Sequence, residues 1–512
     1  MFNELRHALR RLHSLCLFSL FLSTTGKISQ FTSAIDEDLS KRVVEGQLVI
    51  IQPYTDLGFD PLANIIALDG SWDLERLTDD SQICSLGRPL CVSLLSVIPH
   101  SDLRGYDRFA TRYLEGSEAV KREIVQFATA KLLNADYLIE TLSNDQALAC
   151  LSQRLPIEFN STNYLSQEKE REQVEGHMRV CLKIDAAFEI MTTTSSSEPI
   201  LSEAAYFVMQ RGSLNAPKAL KSIMEGFAIS KGDRGEFLVL LLVILARDAT
   251  VGPPDELGRP IKGNRWFPLT DFLYGQVFRK QDGSSRLVDA KSNRALHTLL
   301  KDFPNGHLHF SHFVKVHEYR AIDMDSLLLL LGRGAAVLCA NNQTGIDAIL
   351  VFLRDGTNLV RGNAGLCLIQ VKNNPKYSTN PQPKVFGAME PYDLGILEEG
   401  DPSVPLIKIV FALAARKPSL NVVRRAPTKE YGAVVYEIWC AGLSPDILQP
   451  IISQETGVWD SLLQASYGWK ELYKTASDVT ATLRKSATPG TARDPGHYSR
   501  WARHPSTVEP QS

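Results

Sequence analysis

The chain has 512 residues, enough for two or three domains with complete cores. Its 44% hydrophobic and 22% charged content is ordinary for a globular protein and excludes a wholly disordered or fibrous chain. A net charge of −3 excludes a globally basic nucleic-acid binder, so any basic surface has to be local. Eight cysteines (16, 84, 91, 150, 181, 339, 367 and 440) form no CxxC pair. That argues against a zinc ribbon or disulfide framework and for a reducing compartment.

Residues 3–14 carry Leu5, Leu9 and Leu12 on one helical face. The apolar run Leu15–Leu22 follows basic Arg10 and Arg11. It reads either as a short signal peptide or as a buried strand, and it is too short to span a membrane. The strand is preferred because of what comes next. The run ends in Ser23-Thr24-Thr25, a second apolar strand covers Gln47–Gln52, and Gly87-Arg88-Pro89 follows a helical region. On these residues the N-terminal part resembles the back half of a P-loop ATPase, with a strand that senses the γ-phosphate and a Gly-x-Pro motif. GxxxxGK[ST] is absent, and no acidic Walker B strand is found. The phosphates would have no cradle, so no ATP is expected.

Residues 101–250 read as mainly helical, with segments near 118–133, 145–155, 201–211, 216–229 and 236–247, and an exposed loop at 192–199. In the resemblance they correspond to a lid and helical arms. Phe237–Ala246 is the other long apolar run, again too short to span, and reads as a buried helix. No integral membrane segment is expected. Residues 251–306, opening on a Gly/Pro-rich stretch at 251–263, read as a linker and variable region.

His307, His309, His312 and His317 crowd the next segment. A metal cluster is one reading. Only His309 and His312 share helical-face spacing and no cysteine lies near, so the start of a partly exposed helix is the reading taken. That helix is expected over Phe313–Leu331, ending at Gly332-Arg333-Gly334. A strand at 335–340 follows.

Gly345–Leu353 and Leu366–Lys372 then read as two apolar strands joined by a polar turn. Asp347, Gln370 and Lys372 interrupt the apolar pattern, and buried polar groups of this kind are paired, bound to metal or part of a site. Gln370 and Lys372 share a strand face, and a hairpin would return Asp347 beside them. One carboxylate, one amide oxygen and one ammonium would then converge, a set suited to phosphodiester hydrolysis with Mg²⁺.

At these residues the chain resembles the PD-(D/E)XK, restriction-endonuclease-like superfamily. Asp347 matches its first acid and Gln370-Val371-Lys372 its second half-motif, with glutamine where Asp or Glu is usual. The resemblance implies catalytic roles for Asp347, Gln370 and Lys372, metal ligation by Asp347 and Gln370, and a glutamate from the leading helix, for which Glu318 is the candidate. A structural Asp–Lys pair at a sheet end is the competing account.

Beyond the motif, 407–414 and 436–440 read as strands, with basic Arg416, Lys417, Arg424 and Arg425 between them. Residues 451–485 read as a helical extension and 486–512 as a disordered tail. The expected architecture is α/β and multidomain. It has a partial P-loop ATPase layer at 1–100, a helical middle region at 101–250 and a restriction-endonuclease-like core at 307–450. The order of parts resembles a group of fungal proteins related in layout to Crinkler-type effectors and transposon-derived proteins. It implies an intracellular, metal-dependent nuclease, or a degenerate relative, acting on DNA in the nucleus or cytoplasm. The alternative is a catalytically dead interaction or effector-like protein.

Overall fold

The two strands read as the motif hairpin lie at the centre of a mixed β-sheet. The computed structural model describes residues 58–88 and 118–467, apart from 62, 160–163, 186–189, 227–233, 255–264, 281–286, 342, 375 and 430. Thirteen α-helices occur among the described residues. The apolar run at 15–22, the strand read at 47–52 and the tail at 486–512 lie outside them.

The described N-terminal part holds β1 (Asp69–Asp73), α1 (Leu74–Leu77) and α2 (Asp80–Ser85). The helical region follows with α3 (Glu118–Leu133), α4 (Asn144–Ser152) and α5 (Tyr164–Gly176). A hairpin of β2 (Val180–Ile184) and β3 (Met191–Thr194) leads to α6 (Pro199–Gln210), α7 (Ala216–Gly226) and α8 (Arg234–Val251). Part of the stretch read as an exposed loop, 192–199, is thus strand, and Thr193 is buried there because it bonds Arg179 and Glu170.

The variable region read after the Gly/Pro-rich linker carries β4 (Phe267–Pro268), α9 (Leu269–Leu273) and α10 (Ala290–Asp302), while most of the linker at 251–263 lies outside the described residues. Phe267, Phe272 and Phe310 meet there edge to face or tilted, so this segment contributes to the core.

The helix expected at 313–331 is not continuous. Residues 307–315 form β5 (His307–Leu308) and β6 (His312–Lys315), and Tyr319–Ala321 form a single 3₁₀ turn. Only Met324–Gly332 is helical, as α11, capped by Asp323 accepting from the Ser326 N–H. The apolar residues Phe313 and Val314 are strand because β6 pairs in parallel with β7 (Ala335–Leu338), a non-local partner invisible to helical periodicity. After β7 come β8 (Ala348–Leu353), β9 (Asn358–Val360), β10 (Ala364–Lys372), α12 (Pro383–Gly387), β11 (Leu406–Ala412), β12 (Ser419–Arg425), β13 (Val435–Ala441) and α13 (Thr456–Tyr467).

The sheet runs in the order β12-β13-β11-β10-β8-β5-β4, with β7 also on β8 and β6 on β7. β10, β11 and β13 are mutually parallel, while β8 is antiparallel to β10. The inner strands read as apolar runs because both faces are covered. On one face Cys367, Ile369, Ile407 and Ile409 join a core shared with the helical region, including α8, whose residues Phe237–Ile244 are all buried. On the other face Leu366, Leu368, Leu406 and Val410 join a second core with Trp72, Leu74 and α11. β1 closes that side by pairing with β9, which forms within the turn between β8 and β10.

A buried ionic network ties the parts together. Arg154 Nη2 lies 2.6 Å from Asp248 Oδ1, Arg247 Nη2 3.3 Å from Glu203 Oε1, and Arg265 Nη2 2.8 Å from Asp80 Oδ1. The same guanidinium groups donate to the carbonyls of Ser311, Phe310 and Thr78. Three cations thus meet three anions, and each arginine also satisfies a backbone oxygen that regular structure leaves unpaired.

Candidate functional site

Register decides what the motif residues can do together. β8 and β10 pair antiparallel with Ala348 opposite Ile369, so Asp347, one residue before β8, faces Gln370. The backbone holds this position from both sides: the Asp347 N–H donates to the Ile369 carbonyl at 2.8 Å, and the Cys339 N–H donates to the Asp347 carbonyl at 2.8 Å. Asp347 falls on the face of Ile349 and Val351, and Gln370 and Lys372 on the face of Leu366 and Leu368, which is the same side of the sheet.

The Gln370 side-chain amide donates to Asp347 Oδ2, and the Val371 N–H donates to the same oxygen at 2.5 Å. Gln370 itself is buried. Burial pushes the Asp347 carboxyl up from its ordinary range, against the Val371 N–H, Lys372, Gln370 and Lys315, which all pull it down. Lys372 does not close onto the carboxylate. Its Nζ sits 5.7 Å from the ring centroid of Tyr377, and it reaches Asp347 only as a through-space charge.

Glu318 is not brought to this cluster. It is exposed, and its carboxylate caps the 3₁₀ turn by accepting from the Arg320 N–H at 3.2 Å. With no long helix over 313–331, it has no helical face on which to approach the sheet. Two other charged groups occupy this end of the sheet. Lys315 ends β6, donates to Asn341 Oδ1 at 2.5 Å and acts on Asp347. Glu236 lies in the first turn of α8, beside Gly235, which packs on the Asn373 side chain directly after β10. Its charge and that of Asp347 both act on Cys339, whose thiol is pushed well up, chiefly by burial. Sequence reading passed over Glu236 and Lys315. The available signal was an acid heading a long apolar helix and a lysine ending an apolar strand.

The histidines do not form a metal cluster. His309 Nδ1 bonds the Leu331 carbonyl at 3.0 Å, and His312 lies between Ser197 Oγ at 2.8 Å and Ser311 Oγ at 3.0 Å. Burial pushes both rings down to about 3, so they are neutral core residues. His307 meets Trp266 edge to face, and His317 is exposed beside Glu158. Among the described residues no group of three His, Cys, Asp or Glu is placed to hold a metal ion.

A metal at Asp347 would therefore rest on few protein donors. Mg²⁺ needs only one or two carboxylates when water and phosphate complete its shell. Both hydrogen bonds to Asp347 fall on Oδ2, and neither uses Oδ1. The donor set fits a weakly held ion.

The Gly87-Arg88 pair has a structural partner. Arg88 Nη2 lies 2.7 Å from Glu198 Oε1 and donates to the Met178 carbonyl at 2.5 Å, which fixes the N-terminal part to the start of α6. Pro89 lies outside the described residues.

No family model, no curated protein and no solved structure matches this chain. Among the described residues no helix is long and apolar enough to cross a membrane.

Proposed function

We propose that residues 307–450 form a restriction-endonuclease-like core whose site cleaves phosphodiester bonds in nucleic acid, with DNA as the expected substrate. The observation that carries this reading is the meeting of Asp347 with Gln370 across β8 and β10, with Lys372 two residues further on the same face. The order of α11, β7, β8, β10, α12 and β11 supports it, as does the parallel pairing of β10 with β11.

Asp347 and Gln370 would hold Mg²⁺. Bound there, the ion would supply positive charge against the phosphate. The rest falls to the chain. The Gln370 amide and Val371 N–H fix the Asp347 carboxylate in one orientation, and Lys372, released from Tyr377, offsets charge on the phosphate. The same proposal takes residues 1–100 as the remnant of a P-loop module without nucleotide chemistry, supported by the order of its segments, and places the protein in the nucleus or cytoplasm. Calorimetry with ATP and Mg²⁺ should give no heat of binding, and cell fractionation tests the location.

The deciding experiment is a plasmid-nicking assay with Mg²⁺ or Mn²⁺. Cleavage should occur with the parent protein, disappear in Asp347→Asn and fall at least about 100-fold in Lys372→Met, as for loss of a charge-stabilising group. A second reading, a nuclease fold that has lost its chemistry and serves as an interaction protein, is favoured by one observation: Lys372 lies on Tyr377 rather than on Asp347. Absence of cleavage with every divalent ion would select it.

A further inference from the structure

The loop that leaves β10 carries an aromatic ring that the cleavage chemistry does not use. Tyr377 is half-buried, and two ammonium groups lie over its ring: Lys372 Nζ at 5.7 Å and Lys376 Nζ at 5.1 Å from the centroid. The loop is pinned from below. The Trp439 indole N–H donates to the Ser378 carbonyl at 2.9 Å, the Asn421 side-chain amide to the Thr379 carbonyl at 3.2 Å, and the Tyr377 N–H to the Asn374 carbonyl at 3.0 Å. The ring itself packs against the second core, so it sits on a supported frame with the two ammonium groups over it.

Charge along two neighbouring segments has one sign. From 372 to 388 the chain holds Lys372, Lys376 and Lys384 and no acidic residue. The neighbouring turn, 413–418, holds exposed Arg416 and Lys417 and no acidic residue. The two segments start side by side, because the Leu413 N–H donates to the Lys372 carbonyl at 3.0 Å. In a chain of net charge −3, these two adjacent loop segments are locally basic.

We propose that this surface binds single-stranded nucleic acid, with an unpaired base stacked on Tyr377 and the flanking phosphates on Lys372, Lys376, Arg416 and Lys417. An aromatic face among cations holds an unstacked base, whereas bases inside a duplex cannot reach it. The base takes the place of the Lys376 ammonium, whose exposed and flexible stem lets it swing to a phosphate. The inference deepens the cleavage reading, since it names the strand type presented to Asp347, and rests on that reading for chemistry but not for binding.

The test is fluorescence anisotropy with the full chain, in the presence of a chelator so that nothing is cut. The probes are one labelled oligonucleotide as single-stranded DNA, single-stranded RNA and duplex DNA. Single strands should bind at least about tenfold more tightly than duplex, and the DNA and RNA arms identify the preferred strand. Tyr377→Ala should weaken single-strand binding about tenfold or more, and Tyr377→Phe should retain it. Lys376→Gln and Lys417→Gln should each lower the slope of log K on log salt by about 0.7. Equal or tighter binding of duplex, binding unchanged in Tyr377→Ala, or no binding of any probe would overturn the inference. A thermal melt of Tyr377→Ala alongside Tyr377→Phe shows that the loss is not misfolding. Cleavage is read separately with Mg²⁺. Tyr377-dependent binding without cleavage overturns the catalytic reading alone, and cleavage without Tyr377 dependence overturns this one alone.

Discussion

Gln370 gives its side-chain amide to the Asp347 carboxylate across two neighbouring strands, in the position where the resembled motif has a second acid. A neutral donor there holds the single carboxylate without a cation. The glutamine is therefore the natural place to alter the site.

Gln370→Glu should reverse that balance. Two carboxylates would face each other in a partly buried position, and one would be forced to hold a proton or recruit a cation. In chelator the variant should lose about 1–3 kcal/mol of stability, from the lost hydrogen bond and the like charges. Added Mg²⁺ or Mn²⁺ should restore its melting temperature more than it raises that of the parent. A melting temperature indifferent to divalent ions in both proteins would mean that no cation is held between these strands.

Asp347 makes a prediction through pH. Its carboxyl is raised above the ordinary 3.8 by burial, so the folded state binds this proton more tightly than the unfolded chain does. The resulting stabilisation is complete below the ordinary carboxylate value and is lost as pH rises through the raised folded value. At neutral pH the ionised group therefore costs stability. Asp347→Asn, which removes the charge and keeps an acceptor oxygen, should melt above the parent at pH 7, and the difference should shrink as pH falls through the raised folded value and vanish below the ordinary 3.8. An equal difference at both pH values would show that the carboxylate is not under strain from burial.

The motif hairpin was legible because its information is local. Alternation places Gln370 and Lys372 on one face, and a turn of about a dozen residues allows Asp347 to return beside them. What was not legible depends on distant partners. β9 forms inside a polar turn because β1, almost 300 residues earlier, pairs with it. Phe313 and Val314 fit a helical pattern, yet β7 takes them as a parallel partner, and this removes the helix on which Glu318 was to stand. Glu236 and Lys315 reach the Asp347 end of the sheet from separate elements, α8 and β6, and no spacing rule connects them. The buried arginines were likewise unreadable, since a lone Arg154 or Arg247 in a helical stretch looks like a solvated face until its partner is known.

Asp248 tests that network. It accepts from Arg154 at 2.6 Å and from Arg247 at 3.1 Å, and all three side chains are buried. Removing the anion leaves buried Arg154 without a carboxylate and Arg247 with Glu203 alone. Asp248→Ala should therefore lower stability by about 3–5 kcal/mol in chemical denaturation, near the limit of what one substitution does. The double variant Asp248→Leu with Arg154→Met, which removes a charge of each sign, should recover part of the loss. If the single variant costs under about 1 kcal/mol, the interior at this point is wet and the ionic contacts are not what joins α8 to the segment after α4.

Gly345 tests how the carboxylate is placed. It lies two residues before Asp347, in the turn from β7 to β8, with φ at +92°, a conformation that side-chain-bearing residues rarely adopt. A Cβ built there would also stand 2.0 Å from the Ala388 carbonyl oxygen. Backbone on both sides leaves no flexible atom to give way. Gly345→Ala should therefore destabilise the protein by about 2 kcal/mol or more, since conformational strain and a steric clash act together. The effect should concentrate at the start of β8, because the Asp347 N–H to Ile369 bond is the nearest ladder contact that can yield. Hydrogen exchange at the Asp347 and Val371 amides should rise in Gly345→Ala while exchange in β11 and β13 stays near that of the parent. Faster exchange across the whole sheet would show that the turn supports the fold globally, and unchanged exchange at Val371 would show that the carboxylate keeps its place without the glycine.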